Sequence, residues 1–482
     1  MAAGRFVVIV RFLVCLLLAC RCCYGLQVCI VGSGMGGASA AFFLRNYSAA
    51  PLDIDIFEQN DKVGGRMAVV ELAGDTFEAG ASILHPKNLH AVNFVNLLGL
   101  KPRSDPDDEG FGIWNGSKFV FKTANAGDSF ISKITTQILN TLAVMWRYGT
   151  SLWSMQNYVS DLLEKFLLLY QEGRPGFETV EELLKSVDLY ESTQYPVQEL
   201  LVKYGLSNLI IDELVTFIMR INYGQNVSIS GMAGGVSLCG SGGDLWAVEG
   251  GNWQIPEGLI RYTNASLHLK SRVVSVTLED SGYIVELESG GTKACDTVIL
   301  ATSLDESKIE INPKVKLPQR SMQHTYTTFI RGLLNAEYFG MSSDTIPDLI
   351  GTVEDPAIPF SSINVLKEYS VSDKAYKAFS RAPLSDELLD KFFSTRSSTI
   401  RIDWAAYPHY TPPEKFAPYI LDGHHLYYVN AFENAASSIE TSAVSAQNVV
   451  RILLSRLLHG NLEQPKLSSV AGLIKDGTVE DL

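Results

Sequence analysis

Two glycine-rich turns near the amino terminus carry residue types and spacings that could do chemistry. Gly32, Gly34 and Gly37 form a GxGxxG run, and Gly64-Gly65-Arg66 follows it. The three glycines of the first run have separate tasks: Gly32 makes the tight turn, Gly34 lets the backbone approach a pyrophosphate, and Gly37 lets helix and strand pack closely. Phosphates held there would meet free backbone N–H groups at the positive end of a helix. About twenty residues past Gly37 stands Glu58, a carboxylate able to accept ribose hydroxyls. Together these residues point to an adenine dinucleotide.

The flanking sequence supplies the elements that must hold them. Leu26 to Val31 is an apolar strand pattern, and Ala38, Ala40, Ala41, Phe42 and Leu44 recur at helical spacing. Leu52 to Phe57 is a second strand that ends in Glu58. A lone GxGxxG arises by chance in a chain with 39 glycines; strand, turn, helix, strand and acid in that order do not.

Strand character returns from Ser237 to Thr302. It includes the Glu249-Gly250-Gly251-Asn252 segment, a helix-like Gly258 to Thr263, alternating strands at 267–278 and 281–287 closed near Glu279-Asp280, and Asp296 to Thr302. Leu426 to Asn434 is a further strand, followed by a helix rich in small residues from Ala435 to Arg451. Between these segments the pattern is helical. Leu152, Met155, Tyr158, Val159, Leu162, Leu163, Phe166 and Leu169 make one face, and Leu209, Ile210, Leu214, Phe217, Ile218 and Ile221 a second, after a Ser207 cap. Such stripes are usually core, although Trp146, Tyr148 and Trp153 could instead line a cavity for an apolar substrate. Residues 303–399 add strand signals at Thr325 to Leu333, a solvated acidic helix face at Asp386 to Asp390, and no recognisable chemistry.

Composition narrows the class. At 482 residues the chain should form two or three structural units, and its net charge of -14 offers no basic stripe for a nucleic-acid partner. Arg5 and Arg11 precede the short apolar run Phe12 to Cys20, and Gly25 follows; residues 1–25 are expected to be a signal peptide, with an uncleaved anchor as the rival that Arg11 counts against, and 458–482 a tail. Sequons at Asn46, Asn115, Asn226 and Asn264 agree with a secretory route, Asn226 least because it lies beside a binding segment. Of seven cysteines, four lie in the leader; Cys29 and Cys295, in strand patterns, read as small buried hydrophobes, with Cys239 the third. No metal motif occurs.

Gly64-Gly65-Arg66 followed by Glu78-Ala-Gly80-Ala-Ser82-Ile-Leu-His85 resembles the FAD oxidoreductases of the amine oxidase type. That resemblance implies FAD, bound through Gly32, Gly34, Gly37, Glu58, Gly65 and Arg66, with Val274 on adenine and Glu433 at the flavin. Phe432 replaces the glycine that usually precedes this acid. The implied fold is α/β, a discontinuous Rossmann-type FAD-binding domain (26–85, 240–302 and 400–457) with a largely helical plus mixed-sheet substrate domain (86–239 and 303–399).

Longer strings are more specific. Met219-Arg220-Ile-Asn-Tyr223-Gly224-Gln225, Leu245 to Asn252, Ala406-Tyr407-Pro408-His409-Tyr410 and Pro412-Pro413-Glu414-Lys415 resemble the prenylcysteine oxidases over nearly the whole mature chain. The resemblance implies a lysosomal thioether oxidase acting on farnesyl- or geranylgeranyl-cysteine. Hydride would leave the carbon beside sulfur, water would add to the resulting cation, and collapse would give cysteine, an isoprenoid aldehyde and, with molecular oxygen, hydrogen peroxide. Such a step needs alignment and dryness more than a strong base. His85, Glu249 and His409 are the candidate acid–base groups, and Arg220 a candidate for the substrate carboxylate, each against a structural role. The rival readings are an FAD amine oxidase or isoprenoid desaturase, and a non-catalytic flavoprotein associated with prenyl lipid or lipoprotein.

Overall fold

The computed structural model describes residues 25–104, 110–124, 130–240, 245–342 and 345–460. The expected leader and nearly all of the expected tail lie outside the described residues. Leu26–Val31, Met35–Tyr47 and Leu52–Phe57 form the expected strand–helix–strand unit. The first strand runs parallel to Leu52–Phe57 on one side and Thr297–Leu300 on the other; Ser266–His268 and Leu426–Tyr428 complete the five-stranded parallel sheet at its edges. Distant chain segments therefore meet in one sheet, as the discontinuous α/β reading requires. Val28, Cys29 and Ile30 have no exposed surface, as expected for a parallel sheet covered on both faces.

Glycine placement explains why the helix can lie so close. A Cβ on Gly37 would come 2.0 Å from the Gly32 carbonyl oxygen, so helix and strand meet at this distance only without a side chain. Gly32 itself has φ +107°, a conformation that favours glycine. The Met35–Tyr47 helix packs against Gln254–Thr263 and against the last helix, Ile439–Gly460.

A second, seven-stranded sheet follows the order Phe393–Pro408, Met322–Leu334, Asp373–Ser380, Ser362–Ser370, Leu349–Thr352, Phe111–Trp114, Phe119–Lys122. It is mixed, because Leu349–Thr352 runs parallel to Phe111–Trp114. The expected domain boundary at residue 400 falls inside Phe393–Pro408, so the last nucleotide-domain segment separates from this sheet only after Pro408. A four-stranded sheet contains the expected hairpin, Val273–Glu279 with Gly282–Leu287.

Helices dominate 130–240. Ser151–Leu167 buries Tyr158, Leu162 and Phe166, the stripe that its spacing requires. The second stripe is delivered by Asn208–Ile210, a π-helical turn at Ile211–Val215, and Thr216–Tyr223. Ser207 occupies the cap position without a side-chain cap hydrogen bond. Trp146 and Trp153 depart from the cavity reading: they are 92% and 54% exposed, while Tyr148 is buried.

Cys29 and Cys295 also depart from expectation. They are buried, as small hydrophobes would be, but are joined in a disulfide with a Cα–Cα distance of 5.9 Å. The parallel register pairs Cys29 with Val298, which brings the residue just before Asp296 beside the first strand. Nothing local in either strand pattern records that juxtaposition.

Candidate active site

The first turn delivers its groups as the spacing predicts. Gly34 caps the Met35–Tyr47 helix with no side chain, so the opening N–H groups have no side-chain cap. Gly34 bridges to Gly64, and a Cβ on Gly65 would stand 3.4 Å from the Gly34 Cα. The two glycine turns thus lie backbone to backbone, a cradle that side chains would fill. At the end of the second strand Glu58 is buried; its Oε2 accepts from Ser33 N (3.0 Å) and Ser33 Oγ (2.6 Å), its Oε1 from Asn60 N and Nδ2 (both 2.9 Å). A ribose diol would have to exchange with the side-chain donors Ser33 Oγ or Asn60 Nδ2. Ser271 N donates to the Glu58 carbonyl, which brings half-buried Val274, at a bulge in its strand, towards the same end. This donor set fits an adenine dinucleotide.

The second turn points across the domain. Arg66 Nη2 meets Glu433 Oε1 at 2.5 Å, and Nη1 donates to the Ala406 carbonyl at 2.5 Å. Glu433 lies in the 3-10 turn Val429–Asn434, not in the strand expected to run through it. Its Oε2 meets Arg320 Nη2 at 3.0 Å. Burial alone would raise the Glu433 carboxyl, but the two guanidinium groups outweigh it and hold the pKa below the ordinary value. Burial likewise opposes the charge on Arg66, and Glu433 more than compensates.

Beyond the pair stands an aromatic wall. The Tyr223 ring meets Tyr407 edge-on at 4.8 Å and Tyr410 at 5.2 Å. Tyr223 OH donates to the Ser437 carbonyl (3.0 Å), Ser437 N donates to Tyr410 OH (2.9 Å), and Gln225 bonds both Pro408 O and Tyr410 N. The strings containing Tyr223, Tyr407 and Tyr410 therefore meet beside Glu433, at the start of the last helix. The three rings can wall a flat space, and burial pushes all three phenols up from their ordinary value.

The three acid–base candidates do not converge there. His85 holds a local turn, its ring Nδ1 accepting from Lys87 N and its backbone N–H donating to Asn88 Oδ1. Glu249 has an exposed side chain and serves through its backbone, bonding Lys101 O and Gln254 Nε2. His409 is exposed although both of its chain neighbours are buried. It stands just past the end of Phe393–Pro408, with its backbone N–H donating to the Ser321 carbonyl and its side chain turned to solvent, which proximity in sequence could not show. Arg220 is 2% exposed and saturated by Glu354 (2.6 Å), Thr352 and Phe360, so it does not offer its charge to a substrate carboxylate.

Two participants were not among the sequence candidates, although Glu414 lies in the Pro412–Lys415 string. Arg320 stands in a stretch without motifs, yet it bonds Asp305 (2.7 Å), Tyr428 and Glu433. Glu414 is buried with Oε2 accepting from Asn434 Nδ2 at 2.6 Å; burial pushes its carboxyl up to about 8.

The fold is that of the flavin-dependent amine oxidases. A putrescine oxidase structure bound to putrescine superposes with a TM-score of 0.61 at 16% identity, over 90% of this chain and 100% of that one. A cyclohexylamine oxidase from Brevibacterium oxydans gives 0.58 at 16% identity, over 90% and 100%. The profile of an NAD(P)-binding Rossmann-like domain matches residues 30–98, and that of prenylcysteine lyase matches residues 131–464. The chain is 50% identical to farnesylcysteine lyase of Arabidopsis thaliana over 89% of its length and 88% of the relative's. It is 33% identical to prenylcysteine oxidase 1 of Bos taurus, over 89% and 88%. This chain belongs to the prenylcysteine lyase family.

Proposed function

We propose that the chain is an FAD-dependent oxidase of prenylcysteines. It converts farnesyl- or geranylgeranyl-cysteine, water and molecular oxygen to free cysteine, isoprenoid aldehyde and hydrogen peroxide in the breakdown of prenylated proteins. Family membership supports the substrate class, and one observation carries the site: the Arg66–Glu433 pair sits where the glycine cradle meets the tyrosine wall. A nucleotide held in the cradle would have its redox end directed towards the tyrosine wall, where Glu433 is tied up by Arg66 and Arg320.

Bound FAD supplies a two-electron acceptor for hydride from the carbon beside sulfur. The Gly34 and Gly65 backbones and the helix after them would hold its phosphates, Glu58 its ribose, and Val274 its adenine. Glu433 fixes Arg66 and Arg320 in place. Tyr223, Tyr407 and Tyr410 exclude water and align the thioether, which is where the rate must come from when no base is needed.

The reading extends to compartment. We infer lysosomal residence reached through the secretory pathway; the apolar run Phe12 to Cys20, the Cys29–Cys295 disulfide, which suits an oxidising compartment, and exposed Asn46 and Asn264 in their sequons support that route. Cell fractionation with a glycosidase shift tests this part. Anaerobic addition of farnesylcysteine, with a polyamine as the control, tests the chemistry: the flavin band should bleach with the first and persist with the second.

A further inference from the structure

We propose that the Phe130–Tyr148 helix docks the protein on the surface of a lipid bilayer. A surface helix ordinarily turns its apolar stripe to the core. Here Ile138, Leu139, Leu142, Met145 and Trp146, at helical three- and four-residue spacing, all face out, with exposures of 54, 63, 55, 39 and 92%. Trp153, in the first turn of the next helix, is 54% exposed. So contiguous an apolar surface on a folded chain marks a contact with something else.

The inner side of this helix is firmly held, so the outer stripe belongs to the fold. Ala143 and Val144 pack on the helical-layer core. Arg147 makes two 2.6 Å bonds to Glu213, and Tyr148 OH a third at 3.1 Å. Glu213 lies in the π-helical turn Ile211–Val215, which runs directly into the helix that carries Tyr223. The stripe is thereby clamped to the element that builds the aromatic wall.

Charge selects the occupant. The chain carries 53 acidic residues and a net charge of -14, yet none lies between Ser129 and Ser160, while Lys133 and Arg147 do. This stretch is therefore one that anionic headgroups do not repel in an otherwise acidic protein. An apolar stripe with a projecting indole, on a helix without an acidic residue and with Arg147 paired inwards to Glu213, suits the interface of a bilayer. The choice of bilayer over a second protein also rests on the prenylcysteine reading, because an isoprenoid amphiphile partitions into membranes.

The test is flotation of the full-length flavoenzyme with phosphatidylcholine vesicles containing a minor share of phosphatidylserine. Wild type should float, and the Leu139→Ser/Trp146→Ser variant should lose vesicle binding by about tenfold or more. Its flavin spectrum and its turnover of farnesylcysteine dispersed in solution should be unchanged. Acyl-brominated lipid should quench wild-type tryptophan fluorescence, and Trp146→Phe should reduce that quenching, leaving the share of Trp153. Equal flotation of wild type and variant, or no flotation of wild type, overturns the proposal. So does conversion of a dimer to a monomer by the double variant, which would assign the stripe to a second copy. Flotation requires no turnover: bleaching without flotation refutes docking alone, and flotation without bleaching refutes only the enzymatic reading.

Discussion

Arg66 and Glu433, from opposite ends of the chain, meet at 2.5 Å and join the second glycine turn to the turn before the last helix. Glu433 also holds Arg320, so one buried carboxylate balances two guanidinium groups. Glu433→Ala would leave those cations facing each other. A broken buried pair costs about 3–5 kcal/mol. The variant should melt earlier and be purified with little flavin, as read by thermal denaturation and the ratio of flavin to protein absorbance. Arg66→Lys should not restore occupancy, because an ammonium cannot replace a planar fork that spans Glu433 and Ala406.

Gly34 and Gly37 separate binding from folding. A Cβ on Gly34 meets nothing closer than the Gly64 oxygen at 3.6 Å, whereas one on Gly37 collides with Gly32 at 2.0 Å. Gly34→Val is therefore expected to give a folded but colourless protein, because the side chain occupies the phosphates' space. Gly37→Ala should lose stability outright. Circular dichroism with flavin absorbance distinguishes them, and full occupancy in Gly34→Val contradicts the cradle.

The Cys29–Cys295 bond closes a loop with a sequence separation of 266 residues. Replacing both cysteines with alanine should cost about 2–5 kcal/mol in chemical denaturation. Flavin occupancy at low temperature should survive, since neither sulfur touches the cradle.

Stability should fall as pH rises towards about 8. Glu414 ionises near 4.5 when unfolded, but burial pushes it up to about 8 in the fold, so the folded state binds the extra proton in that interval. Stability from this group is present at low pH and lost at about 1.4 kcal/mol per pH unit through the interval. Glu440, pushed up to about 7 by burial, acts in the same direction. His90, pushed down to about 3, opposes both only below its ordinary 6.5. Between pH 6.5 and 8 the melting temperature should decline, and Glu414→Gln should flatten the decline.

The nucleotide end was legible because its residues are neighbours in the chain: strand, glycines, helix and Glu58 are set by local spacing. Arg66 and Glu433 were legible separately, through the strings around them, but their contact was not, since it depends on which strands share a sheet. Arg320 left no trace for the same reason. Periodicity found two helical stripes without revealing which positions turn in: Tyr158 and Phe166 are buried, whereas Leu209, at the start of the second stripe, is exposed, and the outward stripe at Leu139 and Trp146 was not read at all. His409 and Glu249 lie near site residues in sequence, but the backbone turns both outwards.

The most direct test of the central claim is the absorbance of the flavin band after farnesylcysteine is added without oxygen. Bleaching in a single turnover, with colour and hydrogen peroxide returning on exposure to air, is the predicted result. A band that stays oxidised in the presence of saturating farnesylcysteine and geranylgeranylcysteine would contradict it.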